Sequence, residues 1–406
     1  MKILHVSTGS SGGAWMTANR LSNQQRLAGL DSELLTLKDV QESQKFLKKS
    51  FYTLIRSINT LYSKYVAVPK FEFLSIYSTK SGLAQQIRNL NPDVIHVHNW
   101  FNILSKKELQ NLGSRYPIVF SMHDSRLATG GCHIPHQCTG YQGNCFPCPA
   151  TLTGKKRVKV SRIKTVKALN SINSFAIIAP SAWQMRQAVQ SGITRKALVS
   201  KVIPNPHPGF VTLTGKKKSR SNTRVLFVAA NLNSQIKNLK CLIEALKILK
   251  SDLIELNLVG FGAGPEMDEI SSYTEVKFRG ISSEEEIQTI MEECDLLVVP
   301  SKSENFPNVV LEAFASGLVV VAASVGGIPE MIDDQINGYL YDGSPEDLSK
   351  KLEYAITDKG NWEQLREKAK DKLNEEFSNV NISEEILEIY RMLIAAHKEL
   401  NDTHVD

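Results

Sequence analysis

The sequence predicts an α/β protein made of two parallel-sheet domains in tandem. Three observations lead there. The chain has 406 residues, too many for one ordinary core and enough for two domains of about 200 residues each. Short apolar runs alternate with stretches of helical spacing along most of its length, the grammar of a parallel sheet with crossover helices. Near the middle, residues 204–222 (PNPHPGFVTLTGKKKSRSN) are rich in Pro, Gly, Lys and Ser and read as a linker.

The elements follow in order. Residues 2–7 (KILHVS) are a strand, residues 10–13 (SSGG) a turn, and residues 14–27 a helix spaced through Leu21 and Leu27. Residues 32–37 form a second strand. From residue 42 to 65, Leu47, Phe51, Leu54, Ile55, Ile58, Leu61, Tyr62 and Tyr65 recur in steps of mostly three or four, an amphipathic helix. Strands resume at 93–97, 118–122, 175–179 and 199–203. The second half reads as strands at 224–229, 253–259, 276–278, 296–299 and 318–322, with helices at 239–249, 284–294 and 309–316. Residues 345–400 read as helical throughout, and no internal repeat is found. The expected domains are 1–206 and 207–383, with a terminal helix at about 384–400 packing back on the first. Two such Rossmann-like domains would hold a ligand between the carboxyl ends of their sheets.

Composition sets limits. The net charge is +6, from 48 basic and 42 acidic residues. That excess suits phosphates or an anionic membrane surface but falls short of a dedicated nucleic-acid binder, so no nucleic acid is expected as a partner. The opening MKILHVSTGSSGG is not a secretory signal, because its apolar run is short and ends in Ser and Gly. No apolar stretch of about 18 residues is present. A cytoplasmic location is therefore expected, where disulfides are rare.

The most informative segment is residues 301–317 (SKSENFPNVVLEAFASG), at the end of a buried strand. Pro307 suits the first helical position, since its missing N–H is not needed there. The helix start then offers free amides and a positive dipole end. Glu304 lies before the helix and Glu312 within it, and the helix rises about 7 Å from Pro307 to Glu312. Two carboxylates so placed suit an extended ligand such as a nucleotide sugar. Glutamates eight positions apart are common, and a capped surface helix is the plain alternative.

The whole segment decides between them. It resembles the E-x7-E motif of retaining glycosyltransferases of family 4, in the form S-x-x-E-x-F-P-N-x-x-x-E-A, carried here by Ser301, Glu304, Phe306, Pro307, Asn308, Glu312 and Ala313. Gly326, Gly327, Pro329 and Glu330 match the following G-G-x-P-E turn. Asn337-Gly338, Gly260-Phe261-Gly262 and Pro204-Asn205 match further family positions. The resemblance covers most of the chain and implies the GT-B fold, two Rossmann-like domains facing each other across a cleft. It implies a nucleoside-diphosphate sugar as donor, retention of anomeric configuration and no catalytic metal or cofactor. Residues implied to hold the donor are Gly12, Gly13, Asn231, Lys237, Gly262, Glu304, Asn305, Phe306, Pro307, Asn308 and Glu312. Glu304, Lys237 and His123 are implied to be catalytic.

The chain departs from the family at one of these. An Arg and a Lys normally lie against the diphosphate after the first strand of the second domain. In residues 229–238 (AANLNSQIKN) Lys237 matches the Lys, but Asn231 stands at the Arg position. Asn donates hydrogen bonds but neither neutralises charge nor forms the guanidinium fork. This keeps open a catalytically silent sugar-nucleotide-binding protein, and another GT-B enzyme such as a nucleotide-sugar epimerase is the second alternative. Gly262 and Gly264, like Gly12 and Gly13, are equally explained by turn geometry.

His123 ends a strand of the first domain, where a polar side chain faces the ligand crevice, and His123-Asp124 matches the family's H-D. His96 and His98 also end a strand and are weaker candidates. Cys132, Cys138, Cys145 and Cys148 follow in the pattern C-x5-C-x6-C-x2-C. The final C-x2-C is half of a usual zinc site, and four thiolates close a tetrahedron. A structural zinc is expected, with His133 or His136 as substitute ligands and two disulfides as the alternative. A similar loop occurs in a subset of family 4 transferases of cell-surface polysaccharide pathways, which implies a lipid-linked saccharide acceptor. Lys45, Lys48, Lys49, Arg56 and Lys64 on the 42–65 helix, and Lys155, Lys156, Arg157 and Lys159, suit peripheral contact with an anionic membrane. The apolar stripe of that helix packing on the first domain is the competing reading.

Overall fold

The computed structural model describes residues 1–42, 50, 53–54, 57–58, 60–61, 65–68, 71, 74–76, 81–101, 103–209, 222–262, 270–272 and 274–402. The chain divides into two compact units. Unit 1 comprises Met1–Pro206 with Asn379–Asp406, and unit 2 comprises His207–Ser378.

Unit 1 holds strands β1 (Lys2–Ser7), β2 (Asp31–Thr36), β3 (Val94–Val97), β4 (Ile118–Ser121), β5 (Phe175–Ala179) and β6 (Val199–Val202). Its helices are α1 (Gly13–Leu27), α2 (Leu37–Glu42), α3 (Leu83–Leu90), α4 (Lys106–Gly113), α5 (Lys155–Leu169), α6 (Ala182–Gln190) and the terminal α12 (Asn379–Asp402). The strands are parallel and ordered β2-β1-β3-β4-β5-β6. Successive residues of a strand point to opposite faces, and both faces are covered, so the strands read as continuous apolar runs. On one face Leu4, Val6, Ile95, Val97, Ile118, Phe120 and Ile177 meet α3, α4, α5 and α6. On the other, Ile3, Val94, Val119, Ala176 and Ile178 meet Leu21 of α1 and Ile382, Ile386, Ile389, Tyr390 and Leu393 of α12.

Unit 2 holds β7 (Thr223–Asn231), β8 (Ile254–Phe261), β9 (Glu275–Gly280), β10 (Leu296–Val299), β11 (Val319–Ala323) and β12 (Tyr339–Tyr341). Its helices are α7 (Leu239–Leu249), α8 (Glu284–Glu293), α9 (Asn308–Ala315), α10 (Pro345–Thr357) and α11 (Trp362–Glu375). The sheet is parallel, ordered β12-β11-β10-β7-β8-β9. Phe227, Leu256, Leu258, Val298 and Val321 pack under α7 and α10. Leu226, Leu297, Val299 and Val320 pack under α8, α9 and α11.

The expected fold class is the one observed, two Rossmann-like halves. Several local readings change. Residues 345–400 are three helices, not one run: α10 stops at Asp358, a short 3-10 turn (Lys359–Asn361) follows, and α12 begins at Asn379. Helical periodicity alone does not register such breaks, because Gly360 and Ser378 interrupt it too briefly. Helix α9 starts at Asn308, one residue before the expected 309, and Pro307 lies just outside it instead of at its first helical position. Pro307 caps it with an extended ψ of 114°. Strand β7 runs on to Asn231 through an irregularity between Val228 and Asn231.

Most of the expected 42–65 helix, with Lys45, Lys48, Lys49, Arg56 and Lys64, lies outside the described residues, as do Gly264 and most of the linker. Within it, Leu54, Ile58, Leu61 and Tyr65 are exposed and not packed as core. No helix among the described residues is long and apolar enough to cross a membrane.

Candidate functional site

In an open parallel sheet the strand order reverses at one point, and the loops leaving the two strands there part to opposite faces, opening a crevice at their carboxyl ends. In unit 2 that point lies between β7 and β10. The loop after β7 carries Lys237, and the loop after β10 carries Glu304. Lys237 Nζ donates to Glu304 Oε1 at 2.7 Å, and Ser301 Oγ donates to the same oxygen at 2.8 Å. The two loops are tied beneath this pair. Lys302 N bonds to Ile236 O at 2.8 Å and Asn238 Nδ2 to Pro300 O at 3.0 Å. Asn238 itself sits at φ 58°, a left-handed position that Asn tolerates, and there it caps α7.

The backbone under Glu304 is fixed by glycine. Gly327 N donates to Glu304 O at 3.0 Å. Gly326 has φ 62°, and a Cβ there would stand 1.8 Å from Glu304 O. The G-G turn is thus the seat of the Glu304 loop.

The other expected donor residues fall into different places. Asn231 is exposed at the end of β7, and its Oδ1 accepts from Asn233 N at 3.0 Å. A Cβ on Gly262 would come within 2.9 Å of Asn233 Nδ2 and 3.3 Å of Asn231 Oδ1, so Gly262 makes room for this turn. Phe306 is core: it is buried, with its ring edge-on to Phe377 at 5.4 Å. It anchors the loop, as do buried Pro307 and Asn308, while Asn305 and Glu312 are half-buried. In unit 1, Gly12 (φ 82°) and Gly13 open α1 in an exposed turn, with no side-chain cap and no acidic residue in the first helical turn.

Unit 1 has its own switch point, between β1 and β3. His5 and His96 are register partners there. A chain of imidazoles runs outward from it. Gln25 Oε1 accepts from Ser32 Oγ at 2.9 Å and bonds His5 Nε2 at 2.8 Å. His5 Nδ1 meets His98 Nε2 at 2.9 Å, and His98 Nδ1 meets His123 Nε2 at 3.0 Å. With the carboxamide oxygen at its root, each ring donates inward through Nε2 and accepts through Nδ1. The last ring, His123, is left with a bare Nδ1 lone pair. Burial pushes His5 and His123 down to about 4, and pushes His96 and His98 well below their ordinary value, so the chain is neutral.

His5, His96 and His98 have ligand atoms within 4.8 Å of one another. Every one of their ring nitrogens is already hydrogen-bonded, His96 to Tyr390 Oη at 2.5 Å and Ser121 Oγ at 2.7 Å. The group is complete as a hydrogen-bond network. Sequence reading singled out His123 and gave His96 and His98 less weight, but His5 was missed. Its only signal was a polar residue within an otherwise apolar strand.

Asp124 does not touch His123 by a hydrogen bond. Burial alone would raise its carboxyl, but Arg126, which forks onto it, and His133 hold it down at about 2. It braces the start of the cysteine loop, where Ser125 N bonds His133 O at 2.9 Å.

Cys132, Cys138, Cys145 and Cys148 line one small cavity together with Phe71, Tyr141 and Val158. All four are free thiols, so the disulfide alternative is not the state described. A hydrogen bond from Cys132 lowers Cys148 toward a thiolate, to about 6, and raises Cys132, while burial pushes Cys145 up to about 11. The four sulfurs line one cavity. Among the described residues, however, only His5, His96 and His98 bring three possible ligand atoms within 4.8 Å of one another, so the cysteine loop as described is not a closed tetrahedral zinc site.

The comparisons with known proteins agree with this architecture. Residues 11–206 match the family model described as Glycosyltransferase Family 4, and residues 212–372 match that of Glycosyl transferases group 1. Only residues 1–10, 207–211 and 373–406 fall outside these matches. The structure of HepE of Anabaena in complex with UDP-glucose superposes with a TM-score of 0.63 at 20% identity, over 97% of this chain and 100% of that one. Sucrose-phosphate synthase of Thermosynechococcus elongatus gives 0.66 at 15%, over 97% and 99%. The fold is that of the GT-B class.

Among curated relatives, an uncharacterized glycosyltransferase of Methanocaldococcus jannaschii is 25% identical over 74% of this chain and 75% of its own. An uncharacterized 41.2 kDa protein of the cps region of Klebsiella pneumoniae is 22% identical over 96% and 99%. The chain is a glycosyltransferase of the GT-B type.

Proposed function

We propose that this glycosyltransferase moves a sugar from a nucleoside-diphosphate sugar to a lipid-linked saccharide of a cell-surface polysaccharide, with retention of configuration and without a catalytic metal. One observation carries the donor assignment: the Lys237–Glu304 pair at the carboxyl ends of the switch-point strands of unit 2. Departure of the nucleoside diphosphate builds negative charge on phosphate and positive charge on the sugar. Lys237 meets the first, with backbone amides at the start of α9. Glu304, released from Lys237 by the arriving diphosphate, takes sugar hydroxyls, and Glu312 takes the ribose diol. Asn231 adds its side-chain N–H in place of a guanidinium, so Lys237 carries more of the leaving group.

In unit 1 His123 is the proposed catalytic residue, its Nδ1 lone pair an acceptor for a hydroxyl. Cys132, Cys138, Cys145 and Cys148 would hold a zinc that cross-links the loop after β4. Support for the polysaccharide reading comes from this loop and from the cps-region relative. Uracil is the base favoured by the solved neighbours, several of which hold UDP or UDP-glucose. A cytoplasmic site of action follows from the nucleotide donor.

The test is proton NMR of the anomeric signals during transfer from UDP-sugars, with EDTA present. Retained coupling is expected. Glu304→Gln and Lys237→Ala are each expected to slow transfer at least tenfold, about 1.4 kcal/mol of transition-state stabilisation, with unchanged melting. Near wild-type turnover of both variants would remove the site assignment, and an inverted product would remove retention.

A further inference from the structure

A second cavity of unit 1 lies away from the imidazole chain, between α4 and α5. It encloses about 830 Å³ and is lined by Lys106, Lys107, Lys156, Arg157, Lys164 and Lys167, with Ile76 and Val160 as apolar wall. No carboxylate is among the described residues that line it. Helix α5 (KKRVKVSRIKTVKAL) carries seven Lys and Arg and no Asp or Glu. That one helix therefore exceeds the +6 surplus of the entire chain.

The cations are placed, not scattered. Lys156, Val160, Lys164 and Lys167 fall on one stripe of α5. Lys106 Nζ reaches across from α4 to Ser161 O at 3.0 Å and Ser161 Oγ at 2.8 Å. Burial, and then Lys164, push this ammonium down to about 8. No described carboxylate forms an ion pair with Lys106, Lys107, Lys156, Lys164 or Lys167, although a lysine elsewhere in unit 1 is paired, as at Lys201–Glu385. Like charges three or four positions apart on a helix disfavour it by about 0.2–0.5 kcal/mol per pair. An anion in the groove offsets that repulsion. Beside the lysines the helix exposes Val160 and Ile163, 47% and 49% accessible, and Leu152 just before it is 65% accessible. Apolar side chains interleaved with cations suit the boundary between headgroups and acyl chains.

We propose that this groove binds the phosphate-bearing headgroup of an acidic membrane lipid and seats unit 1 on an anionic bilayer. The inference stands on the groove alone. If it holds, it supplies a surface for the lipid-linked acceptor proposed above.

The experiment is sedimentation of the full chain with phosphatidylcholine vesicles, with and without phosphatidylglycerol, in the absence of nucleotide and acceptor. It therefore reads the groove whether or not the chain transfers sugar. Binding is expected only with phosphatidylglycerol and should weaken as salt is raised. The exposed triple variant Lys156→Gln/Lys164→Gln/Lys167→Gln is expected to lose about fivefold in affinity per lysine, roughly a hundredfold together, with unchanged melting and unchanged UDP binding. A control triple elsewhere, Lys350→Gln/Lys359→Gln/Lys398→Gln, is expected to bind as the parent does. Three outcomes overturn the proposal: no binding to phosphatidylglycerol vesicles at low salt, equal losses in both triples, or saturable binding of inorganic pyrophosphate to the groove without vesicle binding. The last reassigns the site to a free anion.

Discussion

His5 shows how a single residue can link stability to pH. It is fully buried, rooted on Gln25, and held at about 4 against an ordinary value of 6.5. Between those values the unfolded chain binds a proton that the folded chain refuses, so stability is complete above pH 6.5 and is lost as pH falls toward 4. His5 alone accounts for roughly 3 kcal/mol across that window, and His96, His98 and His123 act in the same direction. Thermal melting recorded every half unit should show this slope. His5→Gln, whatever its effect on the melting point at neutral pH, should flatten the slope between pH 6.5 and 4. An unaltered slope would mean that the imidazole chain is not what refuses the proton. The chain was barely legible beforehand. His123 was marked by its strand end and by H-D, but the partnership of His5, His98 and His123 depends on the lateral order of β1, β3 and β4, which no local pattern encodes.

Among the elements, the turn after β11 does more than its length suggests. Gly326 combines a left-handed φ with a carbonyl 1.8 Å from where a side chain would begin, and that carbonyl belongs to Glu304. Gly343 is a useful contrast: its φ is 98°, but nothing lies within 4 Å. Gly343→Ala is expected to cost about 1 kcal/mol of backbone strain, while Gly326→Ala should cost about 2–4 kcal/mol through strain and displacement together. Only Gly326→Ala should also weaken UDP-sugar binding. Paired thermal melts and titrations check this, and equal effects on binding would separate the turn from the site.

The cysteine loop makes a second prediction at this scale. Elemental analysis of protein purified without added metal should find one zinc per chain, and its removal by chelation should lower the melting temperature. No zinc, with all four thiols reactive in the native state, would refute it. Elements of this kind were readable because buried parallel strands leave unbroken apolar runs, and because Glu304, Gly326 and Gly327 stand in a recognisable string. The start of α9 was misplaced by one residue, since Pro fits both the cap and the first turn. Phe306 looked like a site residue because it sits inside the motif, and its burial against Phe377 could not be read from spacing.

At the scale of the whole molecule, unit 1 is discontinuous and unit 2 is not. One face of the first sheet is closed by α12, through Ile382, Ile386, Ile389, Tyr390 and Leu393, and Tyr390 also hydrogen-bonds His96. A fragment of residues 207–378 is expected to melt cooperatively by itself. A fragment of residues 1–206 should not, because Ile3, Val94, Val119, Ala176 and Ile178 would face water. Differential scanning calorimetry of the two fragments decides this. A sharp transition from the 1–206 fragment would show that α12 is an ornament of the fold and not part of its core.

The position of α12 also sets an order of events on the ribosome. The sheet of unit 1 is synthesised first, and the helix that closes it is synthesised after all of unit 2. At about 5–20 residues per second the interval until α12 is finished is about 10–40 s. Throughout it the nascent chain displays an open apolar sheet face, a substrate for chaperones. A message cut short at the start of α12 would yield a polypeptide with a finished second unit and an unsealed first one, so that solubility would report whether α12 had been made.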